Sequence, residues 1–177
     1  LPFLPMLPIQ ILLNNLLYDV SEIAIPFDRV DPEAIAEPVT WDIKLIQRFM
    51  LVFGPVSSVF DFLTFYALLH MFNAGEALFQ TGWFMESITT QVLVVFAIRT
   101  RRLFFRSKPH RLLVAMALGS AAVATALPFT PVGRWFGFIA PPPLFFAYLF
   151  GATIAYLALV EITKSLFYRF YRAPARR

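Results

Sequence analysis

The first three long apolar stretches of the chain contain four carboxylates: Asp19 and Glu22 within Leu7–Phe27, Asp61 within Phe49–Leu69, and Glu86 within Ala77–Ile98. An ionised carboxylate at the centre of a bilayer costs at least about 2.5–3.5 kcal/mol. The five long apolar stretches of the chain contain no Lys or Arg, so these acids must be satisfied by protonation, water or a bound cation. Asn15, Asp19 and Glu22 are spaced i, i+4, i+7, which places an amide and two carboxylates on one helical stripe. Such a stripe offers only oxygen ligands and suits a hard cation, Mg²⁺ or Ca²⁺. The chain has no Cys, and its two histidines, His70 and His110, fall at the ends of apolar stretches, which disfavours a soft-metal site. Glu86 and Thr90 share a face, with Ser87 about 100° round the helix. Ser57, Ser58 and Asp61 follow Gly54-Pro55. Asp19, near the middle of its stretch, is the strongest ligand candidate; Glu22, Asp61 and Glu86 are secondary. Hydrogen bonding between helices is the preferred role for Ser57, Ser58, Thr89 and Thr90.

These residues need a membrane to sit in. The chain has 177 residues, 59% of them hydrophobic and 15% charged, and 21 are Phe. Soluble domains run at about 45–50% apolar and about 25% charged, and a chain of this size cannot bury the excess in one core. Soluble enzymes, disordered tails and disulfide scaffolds are excluded. A spanning helix takes about 20 residues, and five stretches qualify: 7–27, 49–69, 77–98, 112–129 and 144–162. The expected fold is an all-α, polytopic membrane helix bundle of five transmembrane helices. Gly54-Pro55 should kink the second, small residues around Gly119 should let the fourth approach a neighbour closely, and Trp83 and Trp135 should anchor at interfaces. For transport, the Asn15/Asp19 edge must face other helices and not lipid.

Of the 15 basic residues, 14 fall in segments 28–48, 99–111 and 163–177; the alternate loops hold only Arg134. The positive-inside rule then places the N-terminus outside and the C-terminus in the cytoplasm. Topology and anionic headgroups account for the net charge of +4 without a nucleic-acid partner. Segment 28–48, with five acids, reads as a solvated loop ending in a short amphipathic helix at Trp41–Arg48, and less readily as a docking surface. The start at Leu1-Pro-Phe-Leu-Pro-Met-Leu-Pro lacks a basic n-region and a cleavage site. It reads as a cut through a longer protein and not as a signal peptide.

Pro8-Ile-Gln-Ile-Leu-Leu-Asn-Asn-Leu-Leu-Tyr-Asp19 resembles the sixth transmembrane helix of P-type cation ATPases. Four further runs resemble the magnesium-translocating branch of that family: Asn15 to Asp28, Arg48 to Asp61, Phe79 to Ser87, and Ile98-Arg-Thr-Arg-Arg102. The resemblance implies helices six to ten of a pump, residues 1–177 forming a single C-terminal transmembrane domain. It puts Asn15 and Asp19 on ion-coordinating positions and Gln91 near a ligand position of the eighth helix. Val20 stands where calcium pumps have Gly, which speaks against Ca²⁺. The implied whole protein is a translocase coupling ATP hydrolysis to Mg²⁺ movement across a bacterial plasma membrane, with Mg²⁺ as cargo and ATP bound only by the full-length protein. Its partners would be the bilayer and the remaining helices and cytoplasmic domains of the same pump. The phosphorylated Asp-Lys-Thr-Gly-Thr motif and the actuator Thr-Gly-Glu-Ser loop do not occur in this chain, nor does a phosphate loop; the phosphorylation, nucleotide-binding and actuator domains are absent and the chain alone cannot hydrolyse ATP. The alternatives are the same pump class carrying Ca²⁺ or H⁺, and a stand-alone five-helix scaffold or accessory protein.

Overall fold

The structure is a computed structural model that describes residues 1–29, 43–100, 103 and 106–170. Among them every regular element is helical: α1 (Pro8–Glu22), α2 (Ile43–Tyr66), α3 (Glu76–Ile98), α4 (Arg111–Ala126), the five-residue α5 (Pro131–Trp135) and α6 (Pro143–Phe170). A π turn, Ala67–Met71, extends α2, and 3₁₀ turns follow α1 at Ile25–Phe27 and α4 at Leu127–Phe129. The expected all-α bundle is what forms.

Four segments, Ile43–Met71, Glu76–Ile98, Arg111–Phe129 and Pro143–Arg169, are long and apolar enough to cross a membrane. The first expected span is shorter than 7–27. At 15 residues, α1 reaches about 22 Å against a hydrocarbon core of about 30 Å. Pro26 has no N–H to offer the Glu22 carbonyl and its ring crowds that carbonyl, while the Ser21 hydroxyl donates back to the Tyr18 carbonyl at 2.6 Å. The chain therefore leaves the helix and tightens into the 3₁₀ turn. At the other end, Pro8 occupies the first turn, and the Gln10 side-chain oxygen accepts the Leu7 N–H at 2.9 Å. α2 starts six residues before the expected span, absorbing Ile43–Arg48 of the expected amphipathic helix, and runs unbroken through Gly54-Pro55. The rest of that helix and residues 30–42 of the polar loop lie outside the described residues, as do Arg101, Arg102 and the chain from 171 onward.

α3 is the axis. Thirteen of its 23 residues are buried, on all sides of the helix, as expected for a helix enclosed by its neighbours. α1, α2, α4 and α6 pack around it. Phe79, Phe84, Met85, Ile88 and Val92 meet Leu17, Leu68, Phe145 and Leu149 in the main core. Gly82 permits the closest approach: a Cβ there would stand 2.6 Å from the Leu68 side chain and 3.2 Å from the Phe145 ring. Hydroxyl pairs fasten α2 to α6, Ser57 to Tyr156 at 2.9 Å and Thr64 to Tyr148 at 3.0 Å. On α4 the packed stripe is Leu113, Ala117, Ser120 and Ala124, whereas Gly119 faces open space. Small residues around Gly119 do form this contact, through Ala117, Ser120 and Ala124 and not through Gly119 itself. Trp83 packs edge-on against Phe65 at 4.7 Å between ring centroids; Trp135 is exposed.

Two ion pairs modify the charge map. Lys164, expected in a cytoplasmic tail, belongs to α6, which continues eight residues past 162. It is 1% exposed, and its ammonium donates to the Ala97 carbonyl at 2.7 Å and to Glu161 Oε1 at 2.6 Å. Asp28, expected in a solvated loop, instead pairs with Arg99 at 2.5 Å, with both side chains largely buried. Each pair has a nearby opposite charge, which is what permits its burial.

Candidate intramembrane cation site

α1 carries two polar edges. Gln10, Asn14 and Ser21 are buried against the bundle, and Asn15 and Asp19, one step of about 100° away, are exposed, with Glu22 half-buried. The inward edge makes the contacts. Gln10 Nε2 donates to the Phe136 carbonyl at 2.8 Å, and Asn14 Nδ2 donates to Gln91 Oε1 at 3.1 Å. Gln91 Nε2 in turn donates to Ser87 Oγ at 3.0 Å. The Asn15/Asp19 edge is exposed in the described bundle, contrary to the requirement that it face fellow helices. Of the candidate ligands, the described bundle gathers Asp61, Glu86 and Gln91, and not Glu22.

Those ligands line a cavity of about 200 Å³ between four helices. α1 contributes Tyr18; α2, Ser57 and Asp61; α3, Glu86, Ser87, Thr90 and Gln91; α6, Tyr156. Glu86 is 1% exposed, and its Oε2 is buried without a hydrogen-bond partner, as is Asn14 Oδ1 next door. Asp61 is half-buried. A space of this volume holds roughly six waters at about 30 Å³ each. Its donor set of two carboxylates, hydroxyls and an amide is entirely oxygen, with no cationic side chain among the lining residues. No group of three or more His, Cys, Asp or Glu placed to hold a metal occurs among the described residues. A cation here would therefore lean on one or two carboxylates and keep much of its own water, as Mg²⁺ commonly does.

The bridging roles expected for the hydroxyls divide. Ser57 does link two helices, Thr90 donates to carbonyls of its own helix, Ser58 is exposed, and the Thr89 hydroxyl is buried without a partner. Asn14, Tyr18 and Tyr156 were not singled out from the sequence. For Asn14 a signal existed in the Gln10, Asn14, Ser21 spacing, which fits a helical stripe as well as Asn15, Asp19 and Glu22 do. The tyrosines carry no signal, since Tyr in an apolar helix is ordinarily packing.

The profile of the family described as "Cation transporting ATPase, C-terminus" matches residues 3–166. Over 176 residues, 97% of the chain, it is 44% identical to a protein of Salmonella typhimurium strain LT2 named "Magnesium-transporting ATPase, P-type 1". A protein of the same name from Escherichia coli K12 is 43% identical over the same share, and a second from Salmonella typhimurium LT2 is 39% identical. The chain spans about a fifth of the length of these relatives, 20%, 20% and 19% respectively.

Proposed function

The chain belongs to the family of cation-transporting ATPase C-terminal regions, and from that membership we propose that it is the C-terminal membrane domain of a P-type pump that moves Mg²⁺ across a bacterial plasma membrane at the expense of ATP. The observation that carries this reading is the all-oxygen cavity with the unpartnered, buried Glu86, in a chain 44% identical to a protein whose name specifies magnesium. Phosphorylation and nucleotide binding fall to the part of the pump beyond this fifth. The exposed edge of Asn15 and Asp19 is then the side α1 presents to the pump's other helices, and the cation passes between that edge and the cavity flanked by Asp61, Glu86 and Gln91. Asp19 supplies charge, Asn15 a neutral oxygen, and the cavity the room for retained waters. The bilayer and the rest of the pump are the partners, with the N-terminal end of α1 outside.

The test is Asp19→Asn in the full-length pump, reconstituted in vesicles enclosing a Mg²⁺ indicator. An isosteric loss of charge from a ligand is expected to raise the half-saturating Mg²⁺ concentration for ATP-driven flux by about tenfold or more. Unchanged flux and half-saturation would remove the α1 edge from the ion path.

A further inference from the structure

Asp28 stands where three elements converge, beyond the cavity and beyond the candidate ligands. It closes the 3₁₀ turn that follows α1. Its Oδ2 accepts from Arg99 Nη1 at 2.5 Å, and Arg99 is the residue that ends α3. Its Oδ1 accepts the backbone N–H of His110 at 2.8 Å, and His110 caps the start of α4. Arg99 extends the joint: Nη2 donates to the Ser107 carbonyl at 2.8 Å and to Ser107 Oγ at 3.0 Å. The Arg99 and Asp28 side chains are only 8% and 13% exposed. Close by lies an apolar cluster of Ala24, Val95 and Leu113, with Ala24 wholly buried. A charged pair so shielded from water is screened weakly and holds its geometry more firmly than a surface pair.

α1 packs chiefly on α3 and α4, and these are the helices whose ends Asp28 holds. Its roll and depth are set along the helix by Asn14 on Gln91 and beyond its end by Asp28 on Arg99. Those two quantities decide how the Asn15/Asp19 edge lies relative to the cavity that Tyr18 and Gln91 line. We propose that Asp28 is a positioning residue for the cation path: acting through Arg99 and the start of α4, it fixes α1 against α3 so that the two ligand sets share one depth and register. The inference rests on the transport reading given above.

In the reconstituted full-length pump, Asp28→Asn keeps the size of the side chain and removes the ion pair. The half-saturating Mg²⁺ for ATP-driven flux is expected to rise about tenfold, in the range found when groups supporting a metal ligand are removed, with maximal flux within about twofold of wild type. Arg99→Gln is expected to do the same, and the double variant Asp28→Asn/Arg99→Gln to be no worse than either single one, since the two act as a unit. Asp28→Glu, which keeps the charge, is expected to recover most of the affinity. Unchanged half-saturation in all variants, loss confined to maximal flux, or additive losses in the double variant would each overturn the proposal. So would an Asp28→Asn pump that fails to accumulate alongside an Arg99→Gln pump that accumulates with normal Mg²⁺ affinity, because the joint would then only support folding. If wild-type pump carries no Mg²⁺ but responds to Ca²⁺, the Mg²⁺ reading falls by itself, and the same variants scored against Ca²⁺ still decide the role of Asp28.

Discussion

Glu86 presents a buried carboxylate oxygen to a small polar space without a protein donor. If a hydrated cation supplies what that oxygen lacks, Glu86→Gln in the full-length pump raises the half-saturating Mg²⁺ about 10–100-fold. The pump's abundance in the membrane stays unchanged, as measured by flux titration against an expression control. If the oxygen is an incidental cost of packing, the same change leaves the titration where it was. Lys164 and Glu161 make the opposite case, a buried pair that serves structure. Lys164→Met leaves Glu161 without its cation and is expected to destabilise by about 3–5 kcal/mol, whereas Lys164→Met/Glu161→Leu recovers most of that loss, read as thermal unfolding of the pump in detergent. At this scale the sequence displays acids well, because each is conspicuous in an apolar run; Asp61 and Glu86 were legible for that reason, and Gln91 through the family resemblance. Direction was not legible. Asn14 and Asn15 are neighbours in the chain, and a single step round the helix decides which one meets Gln91.

The helices are legible from hydropathy because each spanning segment must satisfy its own backbone within lipid, and the four longest fall where the apolar stretches lie. Their ends are less so. α6 runs on past a polar residue that neighbours shelter, Lys164, α2 begins early through the exposed Lys44, Gln47 and Arg48, and α1 stops early because of Pro26 and its surroundings. Which small residue marks a helix contact is likewise settled by packing partners, and two glycines make the point testable. Gly82→Val would push into Leu68 and Phe145 and is expected to lower stability by about 1–3 kcal/mol. Gly119→Ala meets nothing within 4 Å and gains helix propensity, so it is expected to be neutral or mildly stabilising, within about 1 kcal/mol. Thermal unfolding of the two variants side by side measures the difference.

Across the whole molecule, large apolar side chains such as Leu51, Phe62, Leu144 and Phe150 are exposed on the outer faces of α2 and α6, a surface that calls for an apolar solvent. The basic residues fix the expected direction of crossing, and the absence of cysteine makes that direction easy to read. In intact cells a membrane-impermeant maleimide is expected to label Arg134→Cys and to spare Lys108→Cys, both exposed positions; the reverse pattern would invert the topology. The enclosure of α3 by all four long neighbours has a further consequence. A rod gripped on every side cannot slide or turn without dragging its surroundings, since close-packed interfaces switch between discrete arrangements and do not deform smoothly. With the α2–α6 hydroxyl rivets in place, α3 and the helices that grip it are expected to move together or not at all.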